Sequence, residues 1–262
     1  MNNFNSKIIS WYTVHKRDLP WRKTKNPYKI WLSEIILQQT RIDQGTSYYL
    51  KFEAHYPTIN DLANASEDEV LKDWQGLGYY SRARNLHGTA KHIVNELGGE
   101  FPNTYQEILK LKGVGDYTAS AIASFCFGES EAVVDGNVYR VLSRYFGIET
   151  PIDSGKGKKE FKQLANQLIC TENPSTFNQG IMEFGALQCK PKSPDCSQCP
   201  FQSSCVAYAK DKVGLLPIKE KKLKQRNRFF DYFLFLDNQQ TILQQRTQKD
   251  IWQQLYEFPM IE

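Results

Sequence analysis

From Phe4 to about Ala209, apolar residues recur at three- and four-residue spacing, interrupted at intervals by proline and glycine. That period puts one apolar stripe on each of a series of helices and predicts helices near 4–17, 28–43, 45–55, 59–64, 67–74, 80–97, 104–111, 116–127, 137–146, 156–170 and 174–187. No part of this stretch alternates with the period of two that marks a strand. Start signals support some boundaries: Ser66 precedes Glu67-Asp68-Glu69, and Asn173-Pro174 places a proline in a first helical turn. After Leu216-Pro217 the composition shifts to KEKKLKQRN, a basic run that reads as a linker over 216–226. Beyond it, FFDYFLFLDNQQTILQQRT carries β-rich runs on either side of Asp237-Asn238, as in a hairpin. Only about 35 residues follow the linker, too few for a self-sufficient domain, so 227–262 is expected to be the start of a truncated one.

Composition adds bounds. The 262 residues suffice for one large domain or two modest ones. Lys and Arg exceed Asp and Glu by four, with a sequence pI of about 8.6. That balance fits a polyanionic partner and equally an ordinary solvated surface. No stretch approaches the roughly 20 apolar residues of a membrane span, and the N-terminus lacks a signal peptide's apolar centre. A protein of the cytoplasm, outside the membrane, is expected. Of six cysteines, Cys189, Cys196, Cys199 and Cys205 crowd into a short loop, whereas Cys126 and Cys170 lie in helical patterns. Such crowding argues for a metal centre over disulfides, and thiolates at this spacing suit either zinc or a [4Fe–4S] cluster.

Three segments carry candidate chemistry. In Leu111-Lys112-Gly113-Val114-Gly115-Asp116-Tyr117 the glycines permit a tight turn opening onto a helix start, where backbone N–H groups can meet a phosphate; a plain helix connection has the same look. Asp135 precedes the helix near Asn137, as a cap or as a functional carboxylate, and helix N–H bonds should lower its pKa. Glu34 has Ile30, Trp31 and Leu37 as helical neighbours, which should raise its pKa, although Gln38 beside it also fits the edge of a polar face.

Together, LKGVGDYTASAIASF and VVDGNVYRVLSR resemble the hairpin, loop and aspartate of the helix-hairpin-helix DNA glycosylases, and WLSEIILQQT resembles the first catalytic segment of the MutY family of adenine DNA glycosylases within them. The resemblance covers about 4–210. It implies a mostly α, two-lobed helix-hairpin-helix glycosylase fold with an iron–sulfur loop, followed by a truncated β-rich, Nudix-like segment. It further implies a catalytic domain over 1–215, with a six-helix module at about 23–130 and an iron–sulfur module made of the N-terminus plus 131–215.

The implied function is base-excision repair: flipping of adenine mispaired with 8-oxoguanine or guanine, protonation of N7 by Glu34, and stabilisation of a cationic sugar by Asp135. Endonuclease III-like enzymes carry a Schiff-base lysine where this chain has Tyr117, so hydrolysis without strand cleavage is implied, with Tyr117 assisting Glu34. Resemblance assigns DNA contacts to Gly113, Val114 and Gly115, to Gln39 and Tyr79 as wedge or lesion-side residues, to Arg82 and Arg84 at the backbone, and to Trp21 and Arg22 at the pocket border. It turns the cysteine loop, flanked by Lys190, Lys192 and Lys210, into the seat of one [4Fe–4S] cluster. The implied partner is double-stranded DNA, met by a monomer, with lesion recognition weakened by the short tail. That tail contains no Nudix hydrolase box.

Overall fold

The computed structural model describes residues 2–220 and 226–262; residues 221–225, in the expected basic linker, lie outside the described residues. The chain runs through α1 (Asn2–His15), α2 (Pro27–Ile36), α3 (Ile42–His55), α4 (Ile59–Asn64), α5 (Glu67–Trp74), α6 (Ser81–Glu96), α7 (Tyr105–Ile108), α8 (Asp116–Phe127), α9 (Gly136–Phe146), α10 (Gly155–Leu168), α11 (Pro174–Leu187) and α12 (Val206–Ala209). Single 3-10 turns stand at Pro20–Lys23 and Gln202–Ser204. Among the described residues no helix is long and apolar enough to cross a membrane.

Local chemistry sets many of these ends. Ser66 and Glu69 form a reciprocal capping box at α5, and Thr58 and Asp61 form another at α4. Asn26 accepts the Lys29 amide, and Pro27 fills the first turn of α2. The expected helix over 28–43 divides. α2 stops at Ile36, Gln39 takes a left-handed φ of 57°, and α3 begins at Ile42.

Apolar faces gather into two clusters. One is built on Trp31, Tyr49, Phe52, Trp74, Leu86 and Ile122 from α2 to α8; the other, on Phe4, Ile8, Val138, Phe161 and Phe177, joins α1 to α9, α10 and α11. Met182 of α11 touches both. Close approach of α11 to α9 depends on Gly185, where an added Cβ would lie 2.9 Å from the Asn137 carbonyl oxygen.

The C-terminal segment is three two-stranded antiparallel ribbons: β1 (Asp231–Tyr232) with β6 (Met260–Ile261), β2 (Leu236–Asp237) with β3 (Gln240–Thr241), and β4 (Gln244–Gln245) with β5 (Tyr256–Glu257). The expected hairpin is present, one residue later than the pattern suggested. Its turn is Asn238-Gln239, both at positive φ. Arg246 ties the segment together, bonding Glu257 at 2.5 Å and Asp250 at 3.0 Å.

Candidate active site and nucleic-acid interface

Glu34 sits on α2 among Trp31, Leu32, Ser33, Ile35 and Ile36, all buried, and is itself 8% exposed. Burial pushes its carboxyl up to about 7; Tyr117 and Arg22 pull down, and the charge of Asp135 pushes up. A glutamate in this state carries a proton near neutrality. The Tyr117 hydroxyl, from the first turn of α8, points at Met182 Sδ 3.6 Å away. Burial first, then Glu34 and Asp135, hold that phenol in its neutral form. Cys126, from the far end of α8, is half-buried, and desolvation, with the charge of Glu34, pushes its thiol up to about 12.

Gly115 starts α8 without a side-chain cap, so the first amides of the helix have no side-chain acceptor. Gly113 adopts φ +79°, and a Cβ there would meet Asn85 Cβ at 2.9 Å. At Gly115 a Cβ would meet nothing within 4 Å. The exposed glycines flank Val114, which is buried in the core and pins the turn. The result is an exposed helix start whose amide geometry is suited to an anion.

Asp135 caps α9, accepting from the Val138 amide at 2.8 Å and from Asn137 Nδ2 at 2.7 Å. These donors were expected to lower its pKa. Instead burial outweighs them and the net shift is upward. The helix start is present, but desolvation of the half-buried aspartate outweighs the bonds it receives. Behind it, Asn137 Oδ1 accepts from Arg140 at 2.8 Å, and Arg140 Nε donates to the Cys189 carbonyl at 2.7 Å.

Glu34, Tyr117 and Asp135 line one cavity of about 660 Å³, with Trp21, Arg22, Gln39 and Met182 also on its wall. A second cavity of about 430 Å³ reaches Glu34 from the other side, between Tyr12, Ile30, Phe125 and Gln179. Arg17, Trp21, Arg22, Glu34 and Met182 belong to both. The wall is held by Glu183, 1% exposed on α11, which accepts Arg17 Nη2 at 2.7 Å and Arg22 Nη2 at 2.9 Å. Burial pushes Glu183 up, but the two guanidiniums outweigh it and hold its carboxyl at about 2. Sequence reading missed Glu183, Met182, Asn137 and Arg140. Only the apolar company of Glu183 on α11 signalled an unusual carboxylate, and nothing local pointed to a partner 166 residues away.

Gln39 and Tyr79 are both exposed and both left-handed, at φ 57° and 49°. They stand on two loops that Arg82 bridges. The two arginines expected at a DNA backbone are placed otherwise. Arg82 turns inward between those loops, and Arg84 Nη1 donates to the Gln253 carbonyl of the C-terminal segment at 2.9 Å.

Cys189, Cys196, Cys199 and Cys205 are all unbonded to one another and line a single pocket with Arg144, Gln188 and Tyr208. Arg144 reaches Cys189 Sγ at 3.5 Å and the Lys190 carbonyl at 2.8 Å. Among the described residues no three His, Cys, Asp or Glu side chains stand at metal-holding distances. The donor set nevertheless fits a thiolate-ligated centre: four thiols on one short loop facing one pocket.

The uncapped helix start at Gly115, on the same helix as Tyr117, and a cavity lined by the carboxylates of Glu34 and Asp135 fit a helix-hairpin-helix DNA glycosylase. Residues 32–168 match the HhH-GPD superfamily of base excision DNA repair proteins. The chain is 36% identical to the adenine DNA glycosylase of Buchnera aphidicola subsp. Schizaphis graminum over 98% of its own length and 74% of that protein, and 45% identical to the human adenine DNA glycosylase over 78% of its length and 39% of the human one. The solved structure of a thermostable thymine-DNA glycosylase superposes with a TM-score of 0.74 at 34% identity, covering 80% of this chain and 96% of that one. The chain belongs to the HhH-GPD superfamily and, within it, to the adenine DNA glycosylase family.

Proposed function

We propose that this chain removes adenine mispaired with 8-oxoguanine or guanine from double-stranded DNA, hydrolysing the N-glycosidic bond and leaving the strand intact. The observation that carries the reading is a buried Glu34, protonated near neutral pH, on the wall of the same cavity as Asp135 and Tyr117. Adenine swings out of the stack into the cavity, with the vacated space taken by Gln39 and Tyr79. Glu34 gives its proton to N7, the C1′–N9 bond breaks, and its electron pair leaves with the base. The charge of Asp135 faces the cationic sugar. Glu34, now a carboxylate, takes a proton from water as the water oxygen bonds C1′, which restores the starting acid. A tyrosine at 117 cannot form an imine with the sugar, so no amine-linked strand cleavage follows.

The helix start at Gly115 supports a phosphate contact, and Trp21 and Arg22 border the base. Cys189, Cys196, Cys199 and Cys205 would hold one [4Fe–4S] cluster, which when bound ties the loop into a single rigid unit beside the DNA. Arg140 and Arg144 fasten that loop to α9 through the carbonyls of Cys189 and Lys190.

Single-turnover assays on duplexes bearing adenine opposite 8-oxoguanine, guanine or thymine test the reading, together with thymine opposite guanine. Release of adenine from the first two mispairs, without borohydride-trappable adduct, supports it. Release of thymine alone would move this chain to the activity named for its structural neighbour, and no base release from any duplex would overturn the proposal. Iron and sulfide analysis of the purified protein, against a Cys199→Ser variant, decides between the cluster and zinc.

A further inference from the structure

Arg82 is bound to both loops that carry the wedge residues. Its guanidinium is a planar fork, and each arm serves one loop. Nη1 donates to the carbonyls of Ile35 (3.0 Å), Ile36 (3.1 Å) and Gln38 (2.7 Å); Nη2 donates to those of Leu77 (3.2 Å) and Gly78 (3.2 Å). The fork lies over the Trp74 ring at 5.0 Å, and Trp74 Nε1 donates to the same Gly78 carbonyl at 3.0 Å. Left-handed φ at a residue other than glycine is strained and persists only where surroundings enforce it. Gln39 and Tyr79, the residues that need such enforcement, each stand next in the chain to a carbonyl that Arg82 holds. The fork also closes the C-terminal end of α2 at Ile35 and Ile36, one and two residues beyond Glu34, where a cation complements orphan carbonyls.

We infer that Arg82 is a positioning residue that locks the Gln39 and Tyr79 loops in their left-handed shape and keeps them in fixed relation to Glu34. It acts on extrusion of the base and not on phosphate binding. A lysine, with one compact ammonium, cannot straddle two loops. The inference rests on the base-flipping reading above.

The test compares two substrates in single-turnover assays with enzyme in excess: adenine opposite 8-oxoguanine in a continuous duplex, and adenine already unpaired in a one-nucleotide bulge. In Arg82→Lys, release from the mispair is expected to fall about tenfold or more, while release from the bulge falls within about twofold. The slope of duplex affinity against salt stays that of the parent, because no phosphate contact is lost. Trp74→Phe, which keeps a core ring and drops one Gly78 contact, shows the same split more weakly and serves if Arg82→Lys does not fold. Equal losses on both substrates, or a salt slope reduced by about one, would overturn the inference. A parent protein that releases adenine from neither substrate would instead overturn the reading on which it rests.

Discussion

Asn137 donates its side-chain amide to Asp135 at 2.7 Å and receives Arg140 at 2.8 Å on its other side, so the carboxylate facing the cavity is braced through the first turn of its own helix. Asp135→Asn keeps an oxygen for the Val138 amide but turns an amide group toward Asn137. Duplex affinity is expected to stay within about threefold while single-turnover base release drops by at least about a thousandfold, the size of effect that follows loss of a charge at a developing cation. A variant that still releases base at the parent rate would remove Asp135 from the chemistry.

Glu34 links rate and stability to pH. Its folded pKa of about 7 lies above that of an exposed glutamate, so the folded protein holds this proton more tightly than the unfolded chain. Its stabilising contribution is complete at low pH and declines as pH climbs toward and through about 7, by about 3 kcal/mol in all. The proton-donating form disappears over the same upper range, so kcat/KM falls as pH passes about 7. In Glu34→Gln both the declining limb of stability in urea titrations and base release should vanish together.

Gly113 and Gly115 answer to different demands. Gly113→Ala places a Cβ against Asn85 at a positive φ and should lower stability by about 2 kcal/mol in thermal melts. Gly115→Ala meets nothing in the protein, so its melting temperature should match the parent within a degree or so, yet duplex affinity should weaken because the added methyl stands where a phosphate approaches. Unchanged affinity in Gly115→Ala would place the backbone contact elsewhere.

Glu183→Gln leaves Arg17 and Arg22 facing a neutral amide on the cavity wall. A loss of about 3 kcal/mol is expected, as for a broken buried pair with one partner partly solvated. The folded pKa of about 2 is depressed, so this contribution is present above the unfolded glutamate pKa of about 4.3 and is lost as pH falls toward 2. Urea midpoints of parent and variant should therefore converge at acidic pH.

How much of this was legible follows the range of the forces involved. Ser66 with Glu69 and Pro174 are local signals, and α5 and α11 begin where they say. The upward shift of Glu34 is legible in its apolar helical neighbours, but its role is not: beside Gln38 the spacing also fits a polar edge, and only the resemblance of WLSEIILQQT to the family segment singles it out. The break after Ile36 is not legible, since Gln38-Gln39-Thr40 contains neither glycine nor proline and the turn is imposed by Arg82 from 44 residues away. Resemblance assigns Arg82 to the DNA backbone, and nothing local in the sequence shows it turned inward between two loops. The upward shift of Asp135 was missed for a related reason: its donors are written in the sequence two and three residues on, but the depth of its burial is set by helices packed from elsewhere.

The backbone anchor and the base chemistry share α8. Gly115 opens the helix and Tyr117 follows two residues later, about 3 Å along its axis. On the proposed reading, a strand whose phosphate is seated on the opening amides would meet the cavity at a distance set by the helix. On that reading the helix serves as a caliper, setting which position on the DNA is offered to the cavity before any atom of the base is read.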